Sequence, residues 1–153
     1  MPKNQPLIDP KYSCFRMHAE QSHIHRWGVY ADENIPANRK VIEYTGERVS
    51  RKETKIRASR RLNYIFTLDS YWSLDGSSGG SGAEFINHCC NPNLESRMLK
   101  GHILYFSQRP IKKGEELTID YHFGADEEIV KCKCGAPNCR GTINLPKFAK
   151  KRK

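Results

Sequence analysis

The sequence predicts a mainly β, α+β domain with one short helix. Short runs of β-branched and aromatic residues recur along the 153-residue chain, and Pro, Gly and Asn punctuate them at turn-like intervals. Only one segment carries a convincing helix signal, and strands do not alternate with helices in the β-α-β rhythm of a parallel sheet. The chain has no Gly-x-Gly-x-x-Gly or P-loop pattern, which disfavours a doubly wound nucleotide-binding fold.

Length and composition are those of one polar, basic domain. A chain of 153 residues suffices for one hydrophobic core. No apolar run approaches the roughly 18 residues that a membrane helix needs, and the first ten residues lack the apolar core of a signal peptide. We therefore expect an intracellular protein, with no membrane contact, whose six cysteines meet a reducing compartment.

The net charge of +9 comes from 26 basic and 17 acidic residues. Such an excess suits contact with nucleic acid or acidic surfaces, although a merely soluble basic protein is an equally good interpretation. Five of the last seven residues are basic, so the tail at 146–153 is expected to be a disordered basic end or an address signal.

The first half of the chain begins with an extended, Pro-containing lead-in over 1–13. Antiparallel strands are predicted at 27–31, 40–45 and 46–49 from their β-type composition. The one helix is predicted at 51–61, because Ser50 and Glu53 have the spacing of a capping box. Its six basic residues are interpreted as a solvated face rather than a polyanion-binding surface.

The second half resumes the strand pattern at 64–68 and 71–74 and continues into a Gly/Ser-rich loop at 75–82. Strands at 95–99 and 102–108 flank Lys100 and Gly101, which form a plausible two-residue hairpin turn. A last strand is predicted at 117–121.

The stretch at 82–93 mixes apolar, amide, imidazole and thiol groups in a way that no ordinary strand or loop requires. It therefore predicts a polar site.

Cysteines near the C-terminus indicate a metal site: Cys132, Cys134 and Cys139 stand as Cys-x-Cys-x4-Cys in a Gly/Pro/Asn-rich loop. A closed structural zinc site needs four ligands, and Cys90 in the central stretch is the best fourth candidate. Unligated thiols or disulfides are weaker alternatives.

Several motifs occur in an order that resembles SET-domain protein lysine methyltransferases, and the resemblance spans 22–145. They are Arg-Trp-Gly at 26–28, Glu-Tyr-Thr-Gly at 43–46, Tyr-Ile-Phe at 64–66, Phe-Ile-Asn-His-Cys-Cys-Asn-Pro-Asn at 85–93, Gly-Glu-Glu-Leu-Thr-Ile-Asp-Tyr at 114–121 and the cysteine tail. The resemblance implies an N-terminal extension at 1–21, a SET domain at 22–124, a post-SET zinc loop at 125–145 and the basic tail.

By this resemblance the fold is knotted, with the segment that ends at Tyr121 threading the Asn-His-x-Cys segment. S-adenosylmethionine is expected on one face and the substrate lysine in a channel from the other. The implied catalytic residues are Tyr121 and its channel partner Tyr44. The implied cofactor-binding residues are Arg26, Trp27, Gly28, Tyr64, Asn87 and His88; the metal ligands are Cys90, Cys132, Cys134 and Cys139; and the lysine channel includes Phe66 and Ile119.

Four residues depart from the family pattern. Glu84 stands where Arg is common, Ser81 where Asn is common, and Cys89 where Ser is frequent. Ile119 occupies a position where the family usually has Phe or Tyr. Because Ile is smaller and has no hydroxyl to hold a water, it predicts room for higher methylation states.

These expectations describe a zinc-stabilised, S-adenosylmethionine-dependent protein lysine methyltransferase. Its substrate would be a histone tail or another basic, chromatin-associated protein, and the positive surface could contact DNA. The expected form is a monomer, nuclear in a eukaryote or cytoplasmic in a bacterium. The alternatives are a catalytically idle SET-like module that binds a protein tail or nucleic acid, and a zinc-containing nucleic-acid-binding protein.

Overall fold

A computed structural model describes residues 5–58, 64–121 and 129–144. Ten strands, one α-helix and one 3₁₀ turn are present in these ranges, so the predicted fold class is confirmed. The strands are β1 Met17–Gln21, β2 Trp27–Ala31, β3 Lys40–Tyr44, β4 Glu47–Ser50, β5 Ile65–Thr67, β6 Trp72–Asp75, β7 Asn87–His88, β8 Leu94–Leu99, β9 His102–Ser107 and β10 Glu116–Ile119; the helix α1 is Arg51–Ala58 and the 3₁₀ turn is Ala83–Phe85.

The strands form two sheets. The larger has seven strands in the order β1-β2-β10-β8-β9-β3, with β7 beside β10, and the smaller has the order β4-β6-β5. Most neighbours are antiparallel, but β10 pairs in parallel with β7 and β8. The strand pattern of the sequence did not predict these parallel pairings, because they join segments that are distant in the chain.

Strand β10 lies at the centre of the larger sheet and is enclosed by the 87–94 segment. Thr118 and Ile119 pair with Asn87 and His88, and Ile119 also pairs with Leu94. Asn93 completes the enclosure: its Nδ2 donates to the Glu116 carbonyl at 2.9 Å, and its Oδ1 accepts the Thr118 N–H at 2.9 Å. The two most distinctive motifs of the sequence are thus held together, in the threaded arrangement that the resemblance implies.

The β8–β9 hairpin follows the prediction closely. Its register runs from Leu94 opposite Ser107 to Leu99 opposite His102. Lys100 and Gly101 have φ of 51° and 81°, as a two-residue type I′ turn requires. The strands on either side carry buried aliphatic residues into one continuous core, with Ile103, Leu94 and Leu117 fully enclosed.

Helix α1 begins where the capping box predicts. The Ser50 hydroxyl accepts the Glu53 N–H at 3.2 Å. The predicted end at 59–61 lies outside the described residues. The Glu53 carboxylate bonds Arg57 within the helix, and Arg57 also reaches Asp75 of the smaller sheet at 3.0 Å. One basic residue of the helix is therefore structural, while Arg51, Lys52 and Lys55 are exposed as the solvated-face interpretation expects.

Strand β1 was missed by the sequence analysis. All five of its residues pair with β2, from Met17 opposite Ala31 to Gln21 opposite Trp27. Only Ala19 is buried, so the segment lacks the alternating apolar pattern of a typical strand. The strand belongs to the same sheet as β10, although it precedes the boundary we drew at residue 22. No described helix is long and apolar enough to cross a membrane.

Candidate functional site

Four cysteines converge on one point between the 87–94 segment and the C-terminal loop. The Sγ atoms of Cys90, Cys132, Cys134 and Cys139 all lie within 4.8 Å of one another, and those of Cys90 and Cys132 are 3.7 Å apart. A tetrahedral zinc with Zn–S bonds of about 2.3 Å would separate its sulfurs by roughly 3.8 Å. The donor set and spacing therefore fit a structural zinc ion.

The cluster already carries one easily ionised thiol. Burial raises the pKa of Cys134, but N–H groups of Cys90 and Ala136 and the thiols of Cys132 and Cys139 outweigh that effect and lower it to about 6. The pKa of Cys132 moves the other way, because burial and the Cys134 thiolate disfavour a second negative charge. Several thiolates can accumulate at one point only if a cation compensates their charge, and a zinc ion bound by the four cysteines would do so.

Arg140 fastens the C-terminal loop to the centre of the domain without a metal. Its backbone N–H donates to the Cys90 Sγ at 3.3 Å. Its guanidinium makes two hydrogen bonds to the Asp120 carboxylate, at 2.8 and 3.2 Å, and another to the Ile143 carbonyl. Because Asp120 precedes Tyr121, the loop is coupled directly to the predicted catalytic residue.

His88 links the cysteine cluster to Tyr121. Its Nδ1 accepts the Tyr121 backbone N–H at 3.1 Å, which places the ring proton on Nε2, 3.5 Å from the Cys90 Sγ. The imidazole is almost completely buried and lies edge-on to the Tyr121 ring, with centroids 5.4 Å apart. These contacts show a structural linker, and a role in cofactor binding stays a prediction.

Tyr121 presents its hydroxyl to the interior. The residue as a whole is 38% exposed, yet the hydroxyl donates to the Ile86 carbonyl at 2.8 Å. Burial, followed by the neighbouring Tyr64 and Glu116, raises its pKa well above the usual value for tyrosine. The phenol therefore stays protonated at neutral pH and suits an orienting role better than that of a general base.

Three aromatic rings pack together to form a wall in the core. Tyr44 and Phe66, both predicted for the lysine channel, have centroids 5.2 Å apart. Tyr105, which the sequence analysis did not single out, lies 6.2 Å from Tyr44 and 6.3 Å from Phe66. Its strand position resembled an ordinary core residue, and only the pairing of β3 with β9 brings it here. Ile119 is buried in the same core.

Asn87 connects two of the predicted cofactor-binding motifs. Its Nδ2 donates to the Trp27 carbonyl at 3.1 Å and to the Glu116 carboxylate at 2.9 Å. Gly28 faces the same carboxylate so closely that any side chain at that position would collide with it. Trp27, Gly28 and Asn87 are thus adjacent, as a shared binding site requires.

Glu116 is a residue that the sequence analysis missed in this role. Its carboxylate accepts hydrogen bonds from the Ser22 hydroxyl at 2.9 Å, the Tyr30 hydroxyl at 3.2 Å and Asn87. The glutamate lies within a motif that we had already selected, but nothing local distinguishes it from Glu115, which faces Arg109 at the surface. Its partners are fixed only when β10 lies between β2 and β7.

The remaining predicted cofactor residues lie at the two ends of this region. Arg26 has a positive φ of 45° and an exposed side chain, and its carbonyl accepts the Ser22 N–H at 2.7 Å. Tyr64 packs against Phe85, with centroids 5.3 Å apart, and its carbonyl accepts the Tyr44 hydroxyl. No side-chain contact joins Arg26 to Tyr64 among the described residues.

A family model identifies the architecture. The model described as "SET domain" matches residues 26–122, more than half of the chain. The chain belongs to the SET-domain family. The resemblance carried by the motifs is thereby confirmed, and the SET domain begins at the predicted cofactor motif of β2 and ends just beyond Tyr121.

Two relatives illustrate the similarity of this SET domain to known proteins. It is 40% identical over 137 residues to the "Histone-lysine N-methyltransferase, H3 lysine-4 specific" of Saccharomyces cerevisiae, covering 81% of this chain and 13% of the relative. It is 37% identical over 139 residues to "Histone-lysine N-methyltransferase set1" of Dictyostelium discoideum, covering 84% and 9%. The chain thus spans only a small part of the length of these relatives.

Solved structures of KRYPTONITE share the fold. The complex with mCHG DNA and SAH superposes with a TM-score of 0.74 at 30% identity, covering 86% of this chain and 29% of that one. The complex with mCHH DNA, H3(1-15) peptide and SAH gives a TM-score of 0.72 at 30% identity, covering 86% and 30%. The mostly β architecture with one helix is therefore that of a SET domain.

Proposed function

We propose that this SET domain transfers a methyl group from S-adenosylmethionine to the side-chain amine of a lysine in a protein, most directly a histone tail. The observation that carries the proposal is the convergence of the inward Tyr121 hydroxyl, the Asn87–His88 pair and an aromatic wall. The names of the relatives and the SAH in both KRYPTONITE complexes agree with this chemistry. The relatives are much longer, so the proposal concerns the activity of this domain.

The cofactor would lie against the junction of β2 and β7. Backbone groups of Arg26, Trp27 and Gly28 would contact it, with Asn87 held in place by the Trp27 carbonyl and the Glu116 carboxylate. The Asn87 Nδ2 donates to both of these acceptors, and its Oδ1 would face the cofactor. Tyr64 would close the pocket from the side of the 3₁₀ turn.

In the reaction, the neutral lysine amine attacks the methyl carbon in line with the C–S bond. The N–C bond forms as the C–S bond breaks, and its electron pair stays on sulfur to give S-adenosylhomocysteine. The lysine must lose one proton to water, and the sulfonium charge favours this loss by lowering the pKa of the amine. Alignment of the two reactants can supply several kcal/mol of the acceleration.

Tyr121 and the aromatic wall would orient the amine. The Tyr121 hydroxyl donates its proton to the Ile86 carbonyl, and its oxygen would act as the acceptor for an N–H of the substrate. Tyr44, Phe66 and Tyr105 would surround the methylammonium group, with contacts of about 0.5–2 kcal/mol. Ile119 belongs to the same buried core and is smaller than an aromatic ring, which supports the prediction of di- or trimethylation.

Zinc would be held by Cys90, Cys132, Cys134 and Cys139 and would supply structural stabilisation rather than chemistry. Because Cys90 follows the Asn87–His88 pair, the ion would lock the C-terminal loop onto the centre of the domain. Binding of this type is coupled to folding with apparent energies of about 10 kcal/mol.

The biological setting is also part of the proposal. A histone substrate implies a nuclear, chromatin-bound location in a eukaryotic host. One KRYPTONITE complex contains DNA together with an H3 peptide. The net charge of +9 would likewise favour a substrate presented on DNA, and salt would then weaken binding.

The test is methyl transfer to recombinant histone H3 and to nucleosomes, followed by mass spectrometry, in parallel with cofactor binding by calorimetry. Tyr121→Phe should abolish most transfer while cofactor binding persists. Tyr71→Phe, which alters an exposed tyrosine just before β6, is the matched control and should leave both unchanged. Cofactor binding without transfer to any histone would favour an idle module, and absence of cofactor binding would refute the proposal.

A further inference from the structure

Glu84 is a partly buried carboxylate beside the proposed lysine channel. It belongs to the 3₁₀ turn that precedes the Asn87–His88 pair, and one of its oxygens accepts the Gly82 N–H at 2.8 Å. Burial raises the pKa of Glu84 despite this hydrogen bond. No lysine, arginine or histidine lies within 4.0 Å of it among the described residues.

In the part of the chain that the structure describes, Glu84 has neither a cationic neighbour nor the three side-chain donors that hold Glu116, and this distinguishes it from the other partly buried carboxylates named here. Asp75 has Arg57 at 3.0 Å, Asp120 has Arg140 at 2.8 Å, and even the partly exposed Glu43 has His102 at 2.7 Å. Burial of a carboxylate without a neighbouring cation costs free energy. Glu84 has no cationic neighbour among the described residues, although the chain as a whole carries nine excess positive charges. A cationic side chain of a substrate would gain binding free energy at such a carboxylate, because folding has already removed part of the water around the carboxylate.

Two glycines of the 75–82 loop pack directly against Glu84, and their lack of side chains lets the loop backbone approach the carboxylate. Gly76 and Gly80 both face it, and a side chain at Gly80 would collide with its second oxygen. A Cβ built on Gly76 would lie 2.8 Å from the Glu84 Cβ and 3.0 Å from the Tyr44 hydroxyl. The glutamate and the channel tyrosine are therefore neighbours across a glycine.

The position relative to Tyr121 decides which substrate group reaches Glu84. Glu84 lies beside Tyr44, the proposed channel partner of Tyr121, with Gly76 between them. A methyl-accepting amine must lie beside Tyr121, so Glu84 is adjacent to the channel but not at its end. Residues of an extended peptide are spaced by about 3.3–3.6 Å, which brings the residues flanking the target lysine within reach.

We propose that Glu84 is a specificity-determining residue that binds a cationic side chain, arginine or lysine, next to the target lysine of the substrate. This inference rests on the proposed methyltransferase function. It predicts that the domain selects lysines with a basic neighbour, and that the excess positive charge of the domain does not prevent recognition of a basic tail.

The test uses peptides that differ at one position, with arginine replaced by citrulline, which has nearly the same shape and no charge. The replacement is made in turn at each of the two residues before and after the target lysine. Both the dissociation constant and kcat/KM are measured. The wild type should favour arginine over citrulline about tenfold at one of these positions.

Glu84→Gln should bring that ratio close to one while the citrulline peptide reacts at an unchanged rate, because glutamine can still accept the Gly82 N–H. Glu84→Lys should reverse the preference, so that a glutamate at the same peptide position is favoured over arginine. The control Glu95→Gln removes a carboxylate that is already paired with Arg97 at 2.6 Å and should keep the wild-type ratio. Thermal melting of each variant checks that it is folded.

The outcomes separate this inference from the proposed function. Charge-selective peptide binding that depends on Glu84 but comes without methyl transfer would support the recognition site and refute the enzyme. If methyl transfer occurs and the preference for arginine survives Glu84→Gln at every position, the recognition site alone is overturned. Methyl transfer without any preference for arginine would have the same consequence. Neither binding nor transfer with any peptide would overturn both.

Discussion

Replacement of Glu116 by glutamine should destabilise the domain and weaken cofactor binding together. The Glu116 carboxylate joins three segments, through the hydroxyls of Ser22 and Tyr30 and the amide of Asn87. Glutamine has almost the same shape, so packing is preserved. The side-chain NH2 group of glutamine can donate to the two hydroxyl oxygens. Its carbonyl oxygen can still accept from the Asn87 amide. The number of hydrogen bonds is then kept and only the charge is lost.

The magnitude follows from the kind of hydrogen bond. A bond to a charged group contributes about 1.5–3 kcal/mol, and a neutral one about 0.5–1.5 kcal/mol. The loss is therefore about 1 kcal/mol for each of three donors, and about 2–3 kcal/mol in total because the site is only partly buried. For a chain of this size the melting temperature should fall by roughly 4–10 °C. Loosening of Asn87 should weaken S-adenosylmethionine binding about tenfold, which corresponds to about 1.4 kcal/mol.

The assay is urea unfolding combined with calorimetric titration of the cofactor. Glu115→Gln is the matched control, because Glu115 is the adjacent residue and pairs with Arg109 at the surface, at 3.1 Å. An exposed ion pair contributes about 0–1 kcal/mol, so this variant should differ little from the wild type. Equal unfolding free energies for the two variants would refute the role of Glu116 as a buried junction. Loss of stability with unchanged cofactor affinity would separate that junction from the cofactor site.

Three further predictions concern the metal, acid stability and the product. Reduced protein should contain about one zinc per chain; Cys139→Ser should lose it and melt at lower temperature, whereas the exposed Cys14→Ser should not. The pKa of Asp75 is lowered, since donors on Ser77 and Arg57 outweigh burial. Its stabilisation is therefore present above the unfolded pKa of about 3.9 and lost as pH falls through the folded value, so urea midpoints of wild type and Asp75→Asn should converge below about pH 4. Mass spectrometry should find di- or trimethyllysine with the wild type and mainly monomethyllysine with Ile119→Tyr; strictly monomethylated product from the wild type would contradict the role of Ile119.

Structural features that depend on adjacent residues could be predicted from the sequence, and those that depend on distant residues could not. The β8–β9 hairpin and the start of α1 were predictable because each depends on a few adjacent residues: Lys100 and Gly101 adopt the positive φ of a tight turn, and Ser50 caps the helix. Strand β1 was missed, since its residues lack the alternating pattern and its strand pairing is with β2. Its pairing is a tertiary contact with no local signal.

The candidate site shows the same division. The four cysteines were selected from their spacing, which predicts a zinc site, whereas Tyr121 and Asn87 were selected only through the ordered motifs of the SET-domain family. Glu116 and Tyr105 were not, because their side chains resemble those of any polar strand end or buried strand. Glu84 was noted only as a departure from a pattern, and its lack of a cation emerged from the arrangement of its neighbours.

By itself the sequence determined the SET-domain membership, most of the strands and the residues proposed for the chemistry, since these depend on residue identity, short spacing and the order of motifs. Tertiary structure decided which of them meet. Strand β10 lies in parallel with β7 and β8 and antiparallel to β2, and this brings Glu116 to Asn87 and Ser22, which is 94 residues away in the chain. Hydrogen bonds between such distant groups form only when the whole sheet is assembled, because each donor has many equivalent acceptors in the unfolded chain.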